Sequence, residues 1–312
     1  MKVSVIGIGK VGSTVAFVLA RDGLASELIL WNRTREIAKA DAIDIQQAVA
    51  FVPHRVHVRD GDLEDTRDSD VLIICVGVPT SPQDLDRNAW AIGNTKIISD
   101  LIPRLVELSP QAILLNITNP LDVITYHILR ISGLSWTRVI GTGTLIDSAR
   151  FREMLSEQVG IHPVDLNAYV LGEHGESAFA ALSVAHSGGE HIDATPARQR
   201  MIEDSKRSAW EVFKVKGYTN YAVAMAAQLI MQSIVEDLRY TMPVSVLIDG
   251  YCGVSDVCLS VPCVIGRQGV HLRLKPDLNA QERDLFRKCA DRVRSIIDLT
   301  RPHTISPDKK CS

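Results

Sequence analysis

The chain has 312 residues, of which 46% are hydrophobic, 23% charged and 5% aromatic. This composition is typical of globular proteins and excludes disordered, fibrous and coiled-coil classes. The 34 basic and 37 acidic side chains give a formal charge of -3 without long blocks of one sign, so we expect no nucleic-acid or membrane partner. Because single cores rarely grow beyond about 250 to 300 residues, we expect two domains.

Targeting signals and metal motifs are not recognisable in the sequence. Apolar stretches such as 71–79 and 221–235 are shorter than the roughly 20 residues that span a bilayer, and the N-terminus lacks an export-signal pattern. The six cysteines form no C-x-x-C pair, so we expect reduced thiols, a cytoplasmic protein and no metal ion. A zinc site at Cys252, Cys258 and Cys263 is disfavoured, since these residues lack a nearby histidine and the short ligand spacing.

The first half of the chain alternates short β-branched runs with longer helical patterns. Most of the runs are far enough apart for a crossover helix, which parallel strand pairing requires. The runs predict strands at Lys2 to Ile6, Glu27 to Trp31, Arg55 to Arg59, Val71 to Val76, Ala112 to Ile117 and Arg138 to Ile140. This pattern predicts an α/β fold with a doubly wound parallel sheet in residues 1–143.

The second half of the chain has a different texture, with long helices followed by strands. Helical patterns lie at Asp147 to Val159, Pro196 to Lys214, Thr219 to Leu238 and Asn279 to Leu299. Strand patterns lie at Pro243 to Asp249, Val257 to Ile265 and Val270 to Leu274. We therefore expect an α+β domain over residues 144–312 that packs on the first domain, because no flexible linker separates the two.

A glycine-rich motif directly follows the first predicted strand and opens a helix. It consists of Gly7, Gly9 and Gly12 with Lys10 and Val11 between them. Glycines at this spacing permit a tight turn, let the backbone approach a pyrophosphate and pack the helix on the strand. The helix N-terminus also attracts the anion. The motif predicts a Rossmann dinucleotide site at these five residues.

The end of the second strand departs from the usual pattern of such sites. An acidic residue normally accepts hydrogen bonds from the adenosine ribose, but here Trp31 is followed by Asn32, Arg33 and Thr34. Asn32 can still bond a hydroxyl group, whereas Arg33 and Thr34 suit a 2'-phosphate. These residues suit either NAD or NADP, and it is a family resemblance carried by other residues that favours NAD, with NADP as the alternative.

Further polar segments occur at Arg87, Asn119-Pro120, Asp147 to Arg150, Leu171 to Glu176 and Lys216 to Thr219. In order and spacing they resemble the L-lactate/L-malate dehydrogenase family, nearly from end to end. The stretches 139–147 and 171–175 are most similar to L-2-hydroxyisocaproate dehydrogenases. The resemblance implies hydride transfer between a nicotinamide cofactor and C2 of an L-2-hydroxy acid.

The resemblance implies a role for each of four residues. His174 is the acid and base for the substrate hydroxyl, and Asp147 orients it and favours the imidazolium. Arg150 lies one helical turn after Asp147 and holds the substrate carboxylate with its planar fork. Arg87, within the loop 77–94 that closes over the substrate, stabilises the oxygen that gains charge.

The remaining implied site residues contact both substrate and cofactor. Asn119 bonds the substrate oxygen and helps to seat the nicotinamide, and its bond to Pro120 is a candidate cis peptide. Thr219 lines the substrate pocket, although it also fits the N-cap of the next helix. Gly77 and Asn94, at the two ends of the substrate loop, are assigned to cofactor binding by the same resemblance.

The substrate loop distinguishes between members of this family. Malate enzymes carry a second arginine just after the proline of Gly-Val-Pro, whereas this chain has Thr80 there. An unpaired distal carboxylate is costly to desolvate, so we expect monocarboxylic acids such as lactate or 2-hydroxyisocaproate as substrates. Malate dehydrogenase and a non-catalytic dinucleotide sensor are the alternatives. The resemblance also implies a homo-oligomer, either a dimer or a tetramer.

Overall fold

The computed structural model of the protein describes residues 1–79 and 87–301, without the side chain of Arg87. Thirteen strands occur in these residues: β1 Lys2–Ile6, β2 Glu27–Trp31, β3 His57–Asp60, β4 Val71–Ile74, β5 Ile113–Asn116, β6 Val139–Gly141, β7 Val170–Leu171, β8 Phe179–Ala180, β9 His186–Ser187, β10 Glu190–His191, β11 Tyr240–Ile248, β12 Val257–Gly266 and β13 Gly269–Arg273. Several of them differ from prediction at their ends; for example, β3 begins at His57 rather than Arg55, β4 ends at Ile74 rather than Val76, and β11 begins at Tyr240 rather than Pro243.

Eight α-helices occur in the described residues: α1 Lys10–Arg21, α2 Arg35–Ala48, α3 Arg87–Leu108, α4 Leu121–Ser132, α5 Leu145–Val159, α6 Pro196–Lys216, α7 Tyr221–Glu236 and α8 Ala280–Thr300. Short 3₁₀ turns lie at Val49–Phe51, Leu63–Thr66, Trp136–Arg138, Pro163–Asp165 and Leu182–Val184. No helix of these residues is both long enough and apolar enough to cross a bilayer.

The main sheet has nine strands in the order β13-β12-β11-β6-β5-β4-β1-β2-β3. The six strands from β3 to β6 are parallel, and the chain order reverses at β1, which pairs with both β2 and β4. In such sheets a ligand crevice forms at the carboxyl ends of the strands, beside the reversal. The predicted doubly wound α/β fold is confirmed.

The parallel strands bury both faces, which explains their nearly continuous apolar sequence. Along β4 the side chains alternate: Val71 and Ile73 pack on one face, and Leu72 and Ile74 pack on the other. The first face is covered by α1 and α2, with α7 packed on α1, and the second by α3 and α4. The loops that follow the strands are consequently the part of the sheet that is left to bind a ligand.

The strands of the second half continue the same sheet instead of forming a separate layer. β11 runs antiparallel to β6, with Ser245 opposite Gly141, and β12 and β13 extend the sheet beyond it. A Cβ atom on Gly141 would lie 2.5 Å from Thr125 Oγ1 and 3.0 Å from Ser245 Cβ. Glycine therefore allows the close approach that joins the two halves of the chain.

The described cysteines are all free, and the structure gives no group of three or more metal-ligating side chains among the described residues. Cys258, Cys263 and Cys289 are buried in the apolar core. Cys311 lies outside the described residues.

Candidate active site

The glycine motif forms the turn between β1 and α1. Gly7 has a φ of +105°, and a Cβ atom there would lie 2.7 Å from the Cys75 carbonyl group. A Cβ atom on Gly12, two residues after Lys10, would lie 2.1 Å from the Gly7 oxygen. At Gly9 the same atom would meet nothing within 4 Å. Gly7 and Gly12 thus close the turn, whereas Gly9 faces open space at the helix N-terminus, where a pyrophosphate fits.

Asn32 is tied into this turn by its own side chain. Its Oδ1 accepts from the Thr34 backbone N–H at 2.9 Å, and its amide group donates to the Ile8 carbonyl oxygen. Arg35 pairs with Asp60 and Asp62, but exposed Arg33 has no ion pair with any described residue. Among the described residues, Arg33 is therefore a cation without an ion pair at the end of β2, close to the glycine turn.

Asn94 joins two of the loops at the carboxyl edge. Its Oδ1 accepts from the Val78 backbone N–H at 2.7 Å, and its Nδ2 donates to the Asn119 carbonyl oxygen at 2.6 Å. The side chain is buried, and the Asn119-Pro120 bond is cis as predicted. Gly77 lies beside it, with its missing Cβ position 3.6 Å from Asn94 Oδ1. Asn94 thus holds the loop after β4 against the loop after β5.

Two predicted residues cannot be placed in the site. Arg87 begins α3, but its side chain is outside the description. Thr80 lies in residues 80–86, outside the described residues.

His174 and Asp147 form a close pair. His174 Nδ1 lies 2.6 Å from Asp147 Oδ2, and the two side chains are 24% and 11% exposed. Asp147 is in the first turn of α5, and His174 follows β7 in the loop. With Nδ1 donating to the carboxylate, Nε2 is left without a partner among the described residues. This nitrogen is the one that can exchange a proton with a ligand.

Opposing effects act on both groups of this pair. Burial lowers the pKa of His174, but the Asp147 carboxylate and its hydrogen bond outweigh burial and leave that pKa above its ordinary value of 6.5. Burial raises the pKa of Asp147, but the charge and hydrogen bond of His174 leave it below 3.8. The pair is therefore stable as imidazolium and carboxylate.

Arg150 lies on the same face of α5 as Asp147, one turn further along. Its Nη1 is 3.4 Å from Asp147 Oδ1, and its side chain is 22% exposed. The contact leaves most of the guanidinium N–H groups without a partner in the described part of the chain. A planar fork in this position can bind a carboxylate with two parallel hydrogen bonds next to His174.

Thr219 lies half-buried just before α7. The N-cap of that helix is Asn220, so the alternative assignment of Thr219 as the cap is wrong. Asn220 Nδ2 donates to Thr14 Oγ1 at 2.8 Å, and Lys10 Nζ lies 4.3 Å from the centre of the Tyr218 ring. The segment before α7 thus reaches the start of α1, near the glycine turn.

Sequence reasoning missed the residues that hold the histidine loop. Gly172 and Ser260 of β12 exchange backbone hydrogen bonds of 3.1 and 2.8 Å. Glu173 pairs with Arg292 of α8 at 3.2 Å. The His174 backbone N–H donates to Asp122 Oδ2 at 2.7 Å. The one local signal for Asp122 is its place in the first helical turn after Asn119-Pro120, where an acidic residue ordinarily complements the helix dipole.

Two family models together match most of the chain. The NAD binding domain of lactate/malate dehydrogenase matches residues 1–141, and the alpha/beta C-terminal domain of lactate/malate dehydrogenase matches residues 144–302. The chain belongs to the lactate/malate dehydrogenase family. The resemblance seen in the sequence motifs is thereby confirmed.

Relatives within the lactate/malate dehydrogenase family are similar over nearly their whole length. An L-lactate dehydrogenase of Clostridium perfringens (strain SM101 / Type A) is 36% identical over 306 residues, which cover 95% of this chain and 96% of the relative. One from Thermoanaerobacter sp. (strain X514) is 37% identical, with 95% and 98% covered. The solved structure of a lactate dehydrogenase enzyme from a Medee basin deep-sea metagenome library has a TM-score of 0.91 and 30% identity, with 96% and 98% covered.

Two glycine substitutions separate folding from cofactor binding. Gly9→Ala places a methyl group in open space, so we expect an unchanged unfolding midpoint in urea but at least about tenfold weaker NADH binding, which corresponds to ~1.4 kcal/mol. Gly12→Ala places it against the Gly7 oxygen, so we expect a loss of about 1–3 kcal/mol in unfolding free energy. NADH fluorescence titration would contradict this assignment if Gly9→Ala bound as tightly as the unsubstituted protein.

The charged pair predicts a pH dependence of stability. The pKa of His174 is raised in the folded protein. Its contribution to the free energy of unfolding is therefore complete below pH 6.5 and is lost as the pH rises through the higher folded pKa. The pKa of Asp147 is lowered in the folded protein. Its contribution to the free energy of unfolding is therefore complete above pH 3.8 and is lost as the pH falls through the lower folded pKa. His174→Gln should therefore cost ~1–2 kcal/mol of unfolding free energy between these values and less outside them. Urea unfolding over a pH series tests this, and a pH-independent difference would contradict it.

Proposed function

We propose that the protein is an NAD-dependent dehydrogenase that interconverts an L-2-hydroxy monocarboxylic acid and the corresponding 2-oxo acid. One observation carries the proposal: within the described part of the chain, the Nε2 atom of His174 has no partner, and Arg150, whose guanidinium group is largely unpaired there, lies one helical turn from Asp147. A proton donor and a carboxylate ligand at this separation suit a substrate that carries a hydroxyl or oxo group next to its carboxylate. Membership of the lactate/malate dehydrogenase family supports the same reaction.

Each polar side chain has a separate task in this mechanism. When bound, the nicotinamide supplies the hydride for C2 of the oxo acid or accepts it in the reverse direction. Protonated His174 donates its Nε2 proton to the substrate oxygen during reduction, and neutral His174 accepts the hydroxyl proton during oxidation. Asp147 accepts from Nδ1 in both directions, so the ring keeps its orientation and its charged form is favoured. Arg150 binds the carboxylate, which fixes C2 relative to Nε2.

The remaining assigned residues complete the substrate pocket in this proposal. Asn119 donates to the substrate oxygen, Thr219 lines the carboxylate side, and Arg87 stabilises the charge that develops on the oxygen. Thr80 occupies the position that distinguishes the substrates. A neutral side chain there favours pyruvate or bulkier oxo acids such as 2-oxoisocaproate over dicarboxylates.

The cofactor is bound across the glycine turn, with NAD as the expected form. The open backbone at Gly9 and the N-terminus of α1 suit the pyrophosphate. NADP remains the alternative because exposed Arg33 has no ion pair among the described residues and Asn32 replaces the usual carboxylate.

In this proposal the chain consists of a dinucleotide-binding domain at residues 1–143 and a substrate domain at residues 144–312. The cytoplasm is the predicted compartment, since the five described cysteines are free.

Initial rates with NADH and NADPH, each combined with pyruvate, 2-oxoisocaproate, phenylpyruvate and oxaloacetate, test this function. We expect at least one monocarboxylate to have a kcat/KM about tenfold or more above that of oxaloacetate, because nothing in the assigned pocket neutralises a second carboxylate. A preference for oxaloacetate would replace the proposal with malate dehydrogenase. No turnover with any pair would favour the dinucleotide sensor.

Two variants in the same assay separate the assigned roles. His174→Gln should lower kcat by roughly 10²–10⁴-fold with NADH affinity retained. Arg150→Lys keeps the charge but loses the fork, so it should mainly raise the KM of the oxo acid, by about tenfold or more. Equal effects of the two variants on KM and kcat would contradict this division of labour.

The protein is a homo-oligomer in this proposal, and the supporting surface lies on α1 and α7. These helices pack together and expose Phe17, Tyr221 and Met225 at 40%, 71% and 48%. Apolar side chains gathered on adjacent helices suit contact with a second copy. Sedimentation equilibrium should give a dimer or larger, and Phe17→Glu should lower the mass while Leu299→Glu, an exposed position on α8, should not. A monomeric unsubstituted protein would contradict the proposal.

A further inference from the structure

Asp122 is a buried carboxylate with both oxygens committed to distant parts of the chain. Only 2% of its surface is exposed. Oδ2 accepts from the His174 backbone N–H at 2.7 Å, and Oδ1 accepts from the Ser245 hydroxyl group at 2.6 Å. The side chain therefore connects the start of α4, the histidine loop and β11 at a single point.

Hydrogen bonding by itself does not require a charge in this position. A neutral amide oxygen could accept from the His174 N–H, and the Ser245 hydroxyl could accept from an amide NH₂ group. Burial of a carboxylate is costly unless the charge has a compensating partner. The charge of the His174 ring lowers the pKa of Asp122, and the charge of Asp122 raises the pKa of His174. A carboxylate at this position can therefore stabilise the charged form of the His174 ring, which an asparagine could not do.

We propose that Asp122 is a positioning residue for His174: it fixes the histidine backbone through the N–H group and supplies a second carboxylate, beside Asp147, that favours the imidazolium. Ser245 holds the Asp122 carboxylate in place. The inference rests on the proposed role of His174 as the acid and base of a dehydrogenase. The proposal adds Asp122, a residue of α4, to the His174–Asp147 pair.

The charges around His174 act in opposite directions. Burial has the largest effect and lowers the pKa of His174. The charge of Asp147 on α5 has the next largest effect and raises this pKa, and the charge of Asp122 on α4 raises it further. The charge of Arg150 on α5 lowers it. Arg150 would be neutralised by the substrate carboxylate in the proposed complex. Removal of Asp122 would therefore leave the imidazolium to depend mainly on Asp147.

The state of Asp122 varies close to neutral pH. Burial raises the pKa of Asp122 to about 7, the hydrogen bonds from Ser245 and His174 oppose the rise, and the charge of Glu173 adds to it. Burial also raises the pKa of the Cys258 and Cys289 thiols, so these groups on β12 and α8 stay neutral. Asp122 is consequently charged on the alkaline side, where His174 would otherwise lose its proton.

Asp122→Asn is the central test, because it keeps the shape and both hydrogen bonds and removes the charge. We expect the alkaline limb of the kcat/KM profile for oxo-acid reduction to move to lower pH, with little change at the acid end. Asp122→Ala removes the hydrogen bonds as well, so kcat should fall about tenfold or more even at the optimum. An Asp122→Asn profile that superimposes on that of the unsubstituted protein would overturn the proposal.

Two serines provide a matched pair of variants. Ser245 of β11 lies directly opposite Ser260 of β12, and both are fully buried. The Ser260 hydroxyl oxygen accepts from the Thr144 backbone N–H at 3.0 Å, and the structure gives it no hydrogen bond with Asp122. Ser245→Ala should move the alkaline limb in the same direction as Asp122→Asn, whereas Ser260→Ala should leave its pH unchanged. An equal shift in both variants would indicate a general structural effect and overturn the assignment.

An NMR titration of the histidine ring signals gives a second readout that does not depend on turnover. The His174 signal is assigned by its absence in His174→Gln, and its midpoint should fall in Asp122→Asn in the cofactor-free protein. If the unsubstituted protein reduces no oxo acid but the midpoint still falls, the dehydrogenase function fails and the coupling of Asp122 to His174 stands. An unchanged midpoint overturns the coupling, whatever the activity.

Discussion

The hydrogen bond between His174 and Asp147 is the interaction on which the rest of the site depends. It joins the histidine loop to α5 and determines which ring nitrogen is left for a ligand. Because both groups are removed from most of the solvent, each one moves the pKa of the other in the direction that favours the charged pair. The neighbouring contacts hold the histidine loop and α5 so that His174 Nδ1 lies 2.6 Å from Asp147 Oδ2.

Those contacts come from three sides of the histidine loop. Ser260 of β12 holds the backbone at Gly172, Arg292 of α8 pairs with Glu173, and Asp122 of α4 accepts from the His174 N–H. A loop that carries an acid and base needs such support, because small errors in position are costly to proton transfer. The antiparallel extension of the sheet provides the contact from Ser260, since β11 pairs with the end of β6 and β12 lies next to β11.

The glycine turn between β1 and α1 depends on a different constraint, which is the close approach of backbone atoms. Gly12 packs against Gly7, and Gly9 is left open at the N-terminus of α1. Asn32 bonds the turn at Ile8, so its side chain stabilises the loop that would contact the adenosine end. Beside it, Arg33 has no ion pair within residues 1–79 and 87–301, and a free cation at this position suits a 2'-phosphate.

The sequence by itself determined the features that depend on neighbouring residues. The apolar run of β4, the glycine motif after β1 and the i,i+3 pair of Asp147 and Arg150 are all local patterns, and the roles of the site residues came from the family resemblance. Only the tertiary structure decided that Asp122 meets His174 and Ser245, which are 52 and 123 residues away in the chain. The physical reason is that a local pattern specifies which face of an element is apolar, whereas contacts between distant polar groups follow from how the elements pack.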